Sequence, residues 1–266
     1  MPNHTTRRSA RLASLLVVST FLPQISNATI VEFQTVMGTF EVNLYDNATP
    51  ATVANFLDYV NSGAYNNSII HRSVPGFVIQ GGGFTYDMGL PLDDILTNAP
   101  VENEPEFANL RGTIAMAKLA GDPDSATSQW FINLADNTAN LDGQNGGFTV
   151  FGEVTSGMDV VDDIAALPRF DFGGPTSELP LQNYTATDFS NNVDPDDTQL
   201  VIFSGVAISD STVDSAAGLN PPLNTANQPP PPPPAAAGGG GGGSFGILGL
   251  FALLLIPAAR RRARVA

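Results

Sequence analysis

The chain has 266 residues, with 26 Asp and Glu against 11 Lys and Arg, two histidines and no cysteine. That length holds one large domain or two small ones. The missing cysteine excludes disulfides, thiol nucleophiles and cysteine metal sites, and the acid excess repels nucleic acid and anionic lipid. The first 28 residues carry Arg7, Arg8 and Arg11, an apolar run from Leu12 to Leu22, and small residues at Ser26-Asn27-Ala28. A basic start, a short apolar core and a small-x-Ala end predict a secretory signal peptide over 1–28, and so an exported protein. The run is short for a retained membrane span.

A domain is expected over 29–210. Ile30 to Val36 and Thr39 to Tyr45 read as β-strands joined at Met37-Gly38 in a hairpin. Thr49-Pro50 then opens a helix, with Thr as cap and Pro in the first turn; Val53, Phe56, Leu57 and Val60 line one face and Gly63 closes it. Short strands are predicted at 69–73, 77–80, 112–117, 130–134 and 148–153, a second helix at 158–166 and a last strand near 199–208. Many short strands with two helices predict a closed antiparallel barrel. The stretch from Pro168 to Thr198 is polar and without periodicity, a loop long enough to be functional or decorative. Residues 211–243 read as a Pro/Gly-rich linker, with a stiff run at Pro229–Pro234 and a flexible joint at Gly238–Gly243.

The stretch with chemical content begins at residue 71. Residues 71–84 read His-Arg-Ser-Val-Pro-Gly-Phe-Val-Ile-Gln-Gly-Gly-Gly-Phe; residues 112–117 read Gly-Thr-Ile-Ala-Met-Ala, and 125–133 read Ser-Ala-Thr-Ser-Gln-Trp-Phe-Ile-Asn. In order and spacing these resemble the cyclophilin family of peptidyl-prolyl cis-trans isomerases, in its bacterial exported branch, over about Thr29 to Ile208. The resemblance implies a mainly β fold, a closed antiparallel eight-stranded β-barrel capped by two helices, needing no cofactor or metal. It implies Arg72, Phe77 and Gln80 as catalytic residues and Val78, Ala117, Lys118, Gln129, Phe131, Leu141 and Phe148 as substrate-binding ones. By the same likeness Phe77, Phe131 and Leu141 form a proline pocket and Val78 stands where methionine is common. Gln80 orients Arg72, Gln129 is a polar groove position, and the edge at Ala117 and Lys118 bonds the peptide main chain. Lys118 replaces an asparagine of many relatives, and Phe148 stands where histidine is frequent. Asn140 stands where many members have a rim aromatic, which implies weaker binding of cyclosporin-type ligands. Trp130 reads better as core packing.

The residues support that chemistry independently. Rotation about an X–Pro bond loses amide resonance, a barrier near ~20 kcal/mol; no nucleophile, metal or redox centre is needed. A donor to the pyramidal prolyl nitrogen and a shape gripping the ring favour the twisted state, and an always-charged guanidinium suits the first role. A hydrolase is the first rival class, but only His71 remains beyond the signal segment. The Gly242-Gly243-Ser244-Phe245-Gly246 match to a nucleophile elbow lies in low-complexity sequence. Two other rivals stay open: a binding module that holds proline peptides without turning them over, and a surface scaffold acting through 168–198.

The C-terminal 23 residues, 244–266, join an apolar stretch from Phe245 to Ala259 to Arg260, Arg261, Arg262 and Arg264. Fifteen apolar residues are few for a spanning helix, and the arginines favour the cytoplasmic side. With the preceding glycines this resembles the bacterial GlyGly-CTERM sorting tail. That implies a Gram-negative host and a protein of the periplasm or cell surface, held at the membrane by its C-terminus at least until a protease trims it. A permanent anchor is the alternative. Partners are expected to be proline-containing polypeptides, and the protein itself a monomer.

Overall fold

Alternating apolar residues begin the fold. In β1 (Ile30–Thr35) and β2 (Gly38–Leu44) the residues Val31, Phe33, Phe40, Val42 and Leu44 all point into the core. The register sets Phe33 opposite Phe40, their rings stacked at 4.7 Å, the cross-strand pairing that stabilises antiparallel sheets. This is the expected hairpin. The computed structural model describes residues 29–211 and 219–226. The predicted signal segment, most of the linker and the arginine-rich tail lie outside the described residues. The chain divides into units of 1–228 and 229–266, and every described residue belongs to the first.

Helix α1 (Pro50–Asn61) buries Val53, Phe56, Tyr59 and Val60, as the spacing predicts. Its cap differs from the expectation. Thr49 makes no side-chain cap bond; instead the Glu104 carboxylate accepts from Ala51 N (3.3 Å) and Thr52 N (2.9 Å). An anion there also opposes the helix dipole favourably.

The chain continues through β3 (Arg72–Val74), β4 (Val78–Gly81), a two-residue pair β5 (Phe84–Thr85) and β6 (Asp93–Asp94), β7 (Thr113–Met116), β8 (Trp130–Asn133) and the one-turn α2 (Thr138–Leu141). Then follow β9 (Val150–Ser156), α3 (Met158–Ala166), β10 (Arg169–Phe170), β11 (Leu179–Pro180), α4 (Ala186–Ser190) and β12 (Phe203–Asp210). Eight strands form one antiparallel sheet in the order β12-β1-β2-β9-β7-β8-β4-β3. Its concave side packs Phe33, Phe40, Phe56, Trp130, Phe151 and Phe203. Trp130 is fully buried, edge-on to Phe33 at 5.1 Å and to Phe203 at 5.7 Å, so core packing is its role.

The barrel is curled but not closed, which corrects the expectation. The two edge strands, β12 and β3, do not pair. Residues 67–70, just before β3, approach the other edge: Ile70 N donates to Val201 O (3.1 Å) and Phe203 N to Ser68 O (2.8 Å), with one bridge between Ile69 and Ile202. Along β3 itself, Ser73 N instead donates to Glu178 O at 2.8 Å. The free edge of β3 is thus satisfied by the 168–198 excursion, and no ladder to β12 remains to be made.

That excursion is not the irregular loop its composition predicts. It forms the β10–β11 pair and α4, the latter with a reciprocal capping box between Thr185 and Asp188. It has a small core of its own, where Leu179, Leu181 and Tyr184 meet Ile69 and Leu200. Part of the predicted linker is also ordered: residues 219–226 lie against the domain, with Asn224 buried.

Candidate active site

Strand register builds the site. Arg72 pairs with Gln80 across β3 and β4, Gln80 with Phe131 across β4 and β8, and Phe131 with Ala115 across β8 and β7. Paired residues share one face, and residues two apart share it as well, so Val78 joins the same row. The glycines after Gln80 are required by their neighbours. A Cβ on Gly82 would lie 2.6 Å from Ser128 O and 2.8 Å from the Trp130 ring, at a backbone φ of +73°.

Within this row the polar groups form a relay. Arg72 Nη1 donates to Gln80 Oε1 at 3.2 Å, and Gln80 Nε2 donates to Gln129 Oε1 at 2.8 Å. Since guanidinium only donates, Gln80 must turn its oxygen toward Arg72, leaving its NH₂ for Gln129. Two carboxamides thereby fix the azimuth of one cation without neutralising it.

Beside the relay opens a cavity of about 240 Å³ lined by Arg72, Phe77, Val78, Gln80, Ala117, Lys118, Phe131, Leu141, Gln144 and Phe148. The floor is apolar: Val78, Phe131 and Leu141 are nearly buried, Phe77 and Phe148 half-buried, and Phe148 stands edge-on to Phe131 at 5.7 Å. Lys118 closes one side. Its Nζ donates to Asn145 O (2.9 Å) and Gly147 O (2.6 Å) and lies 4.8 Å above the Phe148 ring. Partial burial pulls its pKa down to about 8, against the raising influence of Asp124 and Asp122. A second cavity of about 330 Å³ shares Gln80, Ala117 and Lys118 with the first and continues past Gln129, Thr127 and Thr97. The shared residues join the two cavities along one face of the domain.

The charge pattern singles out the groove. Removing the arginines of both ends leaves four cations, Arg72, Arg111, Lys118 and Arg169, against 26 acids, a balance of −22. Arg111 pairs with Asp162 at 2.6 Å and Arg169 with Glu178 at 3.0 Å. The other two, both in the groove, form no ion pair with a carboxylate among the described residues. A larger apolar cavity of about 440 Å³, lined by Phe84, Leu90, Leu92, Phe172 and Leu179, carries no cation and lacks the charged donor this chemistry needs.

The candidates predicted from sequence thus meet in one place, with Gln129 in the adjoining cavity and Asn140 exposed on α2. Gln144 was not anticipated. It sits in a short 3₁₀ turn, Gln144–Gly146, and the only signal for it is a polar residue three places past Leu141.

A family model described as cyclophilin type peptidyl-prolyl cis-trans isomerase/CLD matches residues 30–186. The chain belongs to this cyclophilin family. It is similar to the peptidyl-prolyl cis-trans isomerase of Acinetobacter baylyi, 47% identical over 148 residues, covering 54% of this chain and 76% of that one. It is similar also to peptidyl-prolyl cis-trans isomerase A of Dickeya dadantii, 44% identical over 176 residues, covering 64% of this chain and 90% of that one. Among solved structures, a cyclophilin type isomerase from Cryptosporidium parvum shares the fold with a TM-score of 0.50 at 23% identity, covering 69% of this chain and 98% of that one. The cyclophilin fold is therefore established here as a mainly β, curled eight-stranded sheet with a few helices.

Proposed function

We propose that the chain is a peptidyl-prolyl cis-trans isomerase that accelerates rotation about X–Pro bonds in exported proteins and so assists their folding. One observation carries this reading: a guanidinium without a carboxylate partner among the described residues is held by a glutamine relay at the mouth of an apolar cup. The cup of Phe77, Val78, Phe131, Leu141 and Phe148 takes the prolyl ring. Arg72 donates to the prolyl nitrogen, which becomes a good acceptor only when rotation has removed its lone pair from conjugation. That bond strengthens as the amide twists, so it lowers the barrier instead of merely tightening binding. A charge-assisted hydrogen bond of this kind contributes about 1.5–3 kcal/mol, and the remaining acceleration falls to desolvation and shape. Gln80 holds Arg72 and presents its amide to the peptide backbone, while the edge at Ala117 and Lys118 receives the main chain as an added strand.

The test is a protease-coupled isomerisation assay on a short Ala-Pro peptide. The wild type is expected to accelerate the reaction, and Arg72→Ala to lose roughly ten- to a hundred-fold in kcat/KM, the size of one charged hydrogen bond. Should wild type and variant both match the uncatalysed rate while the peptide still binds, the site is a proline-peptide binding module.

Export is part of the proposal. Its support is the basic, apolar and small-residue pattern of 1–28 and the glycine, apolar and arginine pattern of the C-terminal end, which resembles a GlyGly-CTERM tail. Among the described residues no helix is long and apolar enough to cross a membrane. A periplasmic or surface location in a Gram-negative bacterium is expected. Intact-mass measurement of the protein from its host should give a mature chain starting at Thr29 and lacking the arginine cluster; a full-length mass would remove the processing claim and leave a chain anchored at its ends.

A further inference from the structure

We infer that residues 219–226 form a strap that braces the wall of the proline cup from behind, none of them lining the cavity itself, with Asn224 as a positioning residue for the groove. The strap lies beyond residues 30–186, where the family model matches. It adds to the backbone at 106–108: Ala108 N donates to Pro222 O (2.9 Å) and Asn224 N to Glu106 O (2.8 Å), around a bridge between Phe107 and Leu223. Two of its side chains face inward. Leu219 packs against the cluster that contains Phe77, Val78, Phe131, Leu141 and Phe148, and Asn224 is only 2% exposed.

A buried carboxamide is costly unless its groups are bonded, and those of Asn224 are. Its Nδ2 donates to Asp142 O at 2.9 Å, and its Oδ1 accepts from Ala226 N at 2.9 Å. Asp142 follows Leu141 of the cup directly, and its own Oδ1 accepts from Asn109 N and Asn109 Nδ2, each at 2.9 Å. Asn109 Nδ2 also reaches Phe148 O at 3.3 Å, and Asn133 Nδ2 donates to Asn109 Oδ1 at 3.3 Å. Asn137 Nδ2 then donates both to Asn133 Oδ1 (2.7 Å) and to Phe77 O (2.9 Å).

This is one continuous buried amide network. Its outer end is Asn224, and its inner ends are the backbone carbonyls of Phe77 and Phe148, on two walls of the cup. Such networks lose more than one bond's worth of order when a member is removed. The strap therefore sets how far the 138–148 segment stands from β4, which is the width of the prolyl site. The catalytic unit runs to residue 226 and does not end with β12.

The inference rests on the cup being the prolyl site, so its test reads more than turnover. In the full-length chain, Asn224→Ala and the near-isosteric Asn224→Asp, which cannot donate to Asp142 O, are compared with Leu223→Ala, whose side chain is half exposed. Both Asn224 variants are expected to weaken proline-peptide binding and kcat/KM about tenfold, the size of a stranded buried hydrogen-bond partner. They should speed amide exchange at 141–148 by a similar factor while β1 and β2 stay protected; Leu223→Ala should change neither. Unchanged exchange at 141–148 with unchanged peptide affinity overturns the inference, as does faster exchange spread evenly over the domain. If the Asn224 variants fail to fold, Leu219→Ala, which trims only the packing, takes their place with the same expected readings. A wild type that binds the peptide without turning it over would sink the isomerase reading, and binding and exchange would still decide the strap.

Discussion

At the scale of single residues, what distinguishes the four cations of the domain is what holds them. Arg111 and Arg169 meet carboxylates, whereas Arg72 is held by Gln80 and Lys118 by two backbone carbonyls. A cation held by neutral acceptors keeps its field for a ligand. For Lys118 this has a pH consequence. Partial burial favours the neutral amine and brings the pKa to about 8. Below that value the ammonium braces Asn145, Gly147 and the Phe148 ring; above it the charge on those bonds and the cation–π contact are lost. KM for a proline peptide is therefore expected to rise about threefold between pH 7 and pH 9 in the wild type, a size typical of one cation–π contact. In Lys118→Asn it should be raised already at pH 7 and flat across that range. A wild-type profile that is equally flat would show that Phe148 needs no charged brace. The residue types of the site were legible because the His-Arg and Phe-x-Ile-Gln-Gly runs fix them in the chain. The resemblance implied that Gln80 orients Arg72, but the onward bond from Gln80 to Gln129 was not legible, since it depends on cross-strand register, which no local run encodes.

At the scale of elements, legibility followed length and periodicity. The first hairpin, α1, α3 and the central strands were readable, because each presents several apolar residues at one spacing to one core. The two-residue strands and the one-turn α2 were not, since so few residues have no period. The fate of the sheet edges was also hidden. Whether β3 pairs with β12 depends on Glu178, about a hundred residues away, which takes up Ser73 N, and on an apolar set at Leu179, Leu181 and Tyr184 scattered through a polar segment. The triglycine after Gln80 is the case in which an element's sequence is dictated by its neighbour. At Gly82 any side chain would strike Ser128 O and the buried Trp130 while holding a left-handed backbone. Gly82→Ala should cost about 2–4 kcal/mol by urea denaturation, the sum of backbone strain and overpacking. It should also displace Gln129, next to Trp130 on β8, and with it the relay to Arg72. Wild-type stability in this variant would mean that Trp130 can shift freely and does not fix the end of β4.

At the scale of the whole molecule, the acid excess and a buried histidine act on stability in opposite directions as the medium acidifies. Protonating carboxylates relieves the self-repulsion of a domain carrying, over 29–210, four cations against 25 acids, a balance of −21. His71 works against this. It is buried beside the Phe84 ring at 5.0 Å, and its Nδ1 has no hydrogen-bond partner among the described residues. Burial, and then the neighbouring charge of Arg72, lower its pKa to about 4 from the ordinary 6.5. Between those values the unfolded chain binds a proton here that the folded chain refuses, so folding stability falls as pH drops. The contribution is complete above pH 6.5 and lost as pH falls through about 4, a difference of about 3 kcal/mol for a shift of this size. Denaturation midpoints from pH 7 to pH 4 should separate the two effects when the wild type is set against His71→Leu, which keeps an apolar group against Phe84 but cannot titrate. The stability of the wild type relative to the variant should decline steadily across that window, while the carboxylate contribution cancels between them. Parallel curves would mean that protonated His71 finds water or a carbonyl in the folded state, so that its burial beside Phe84 imposes no penalty on the charged form.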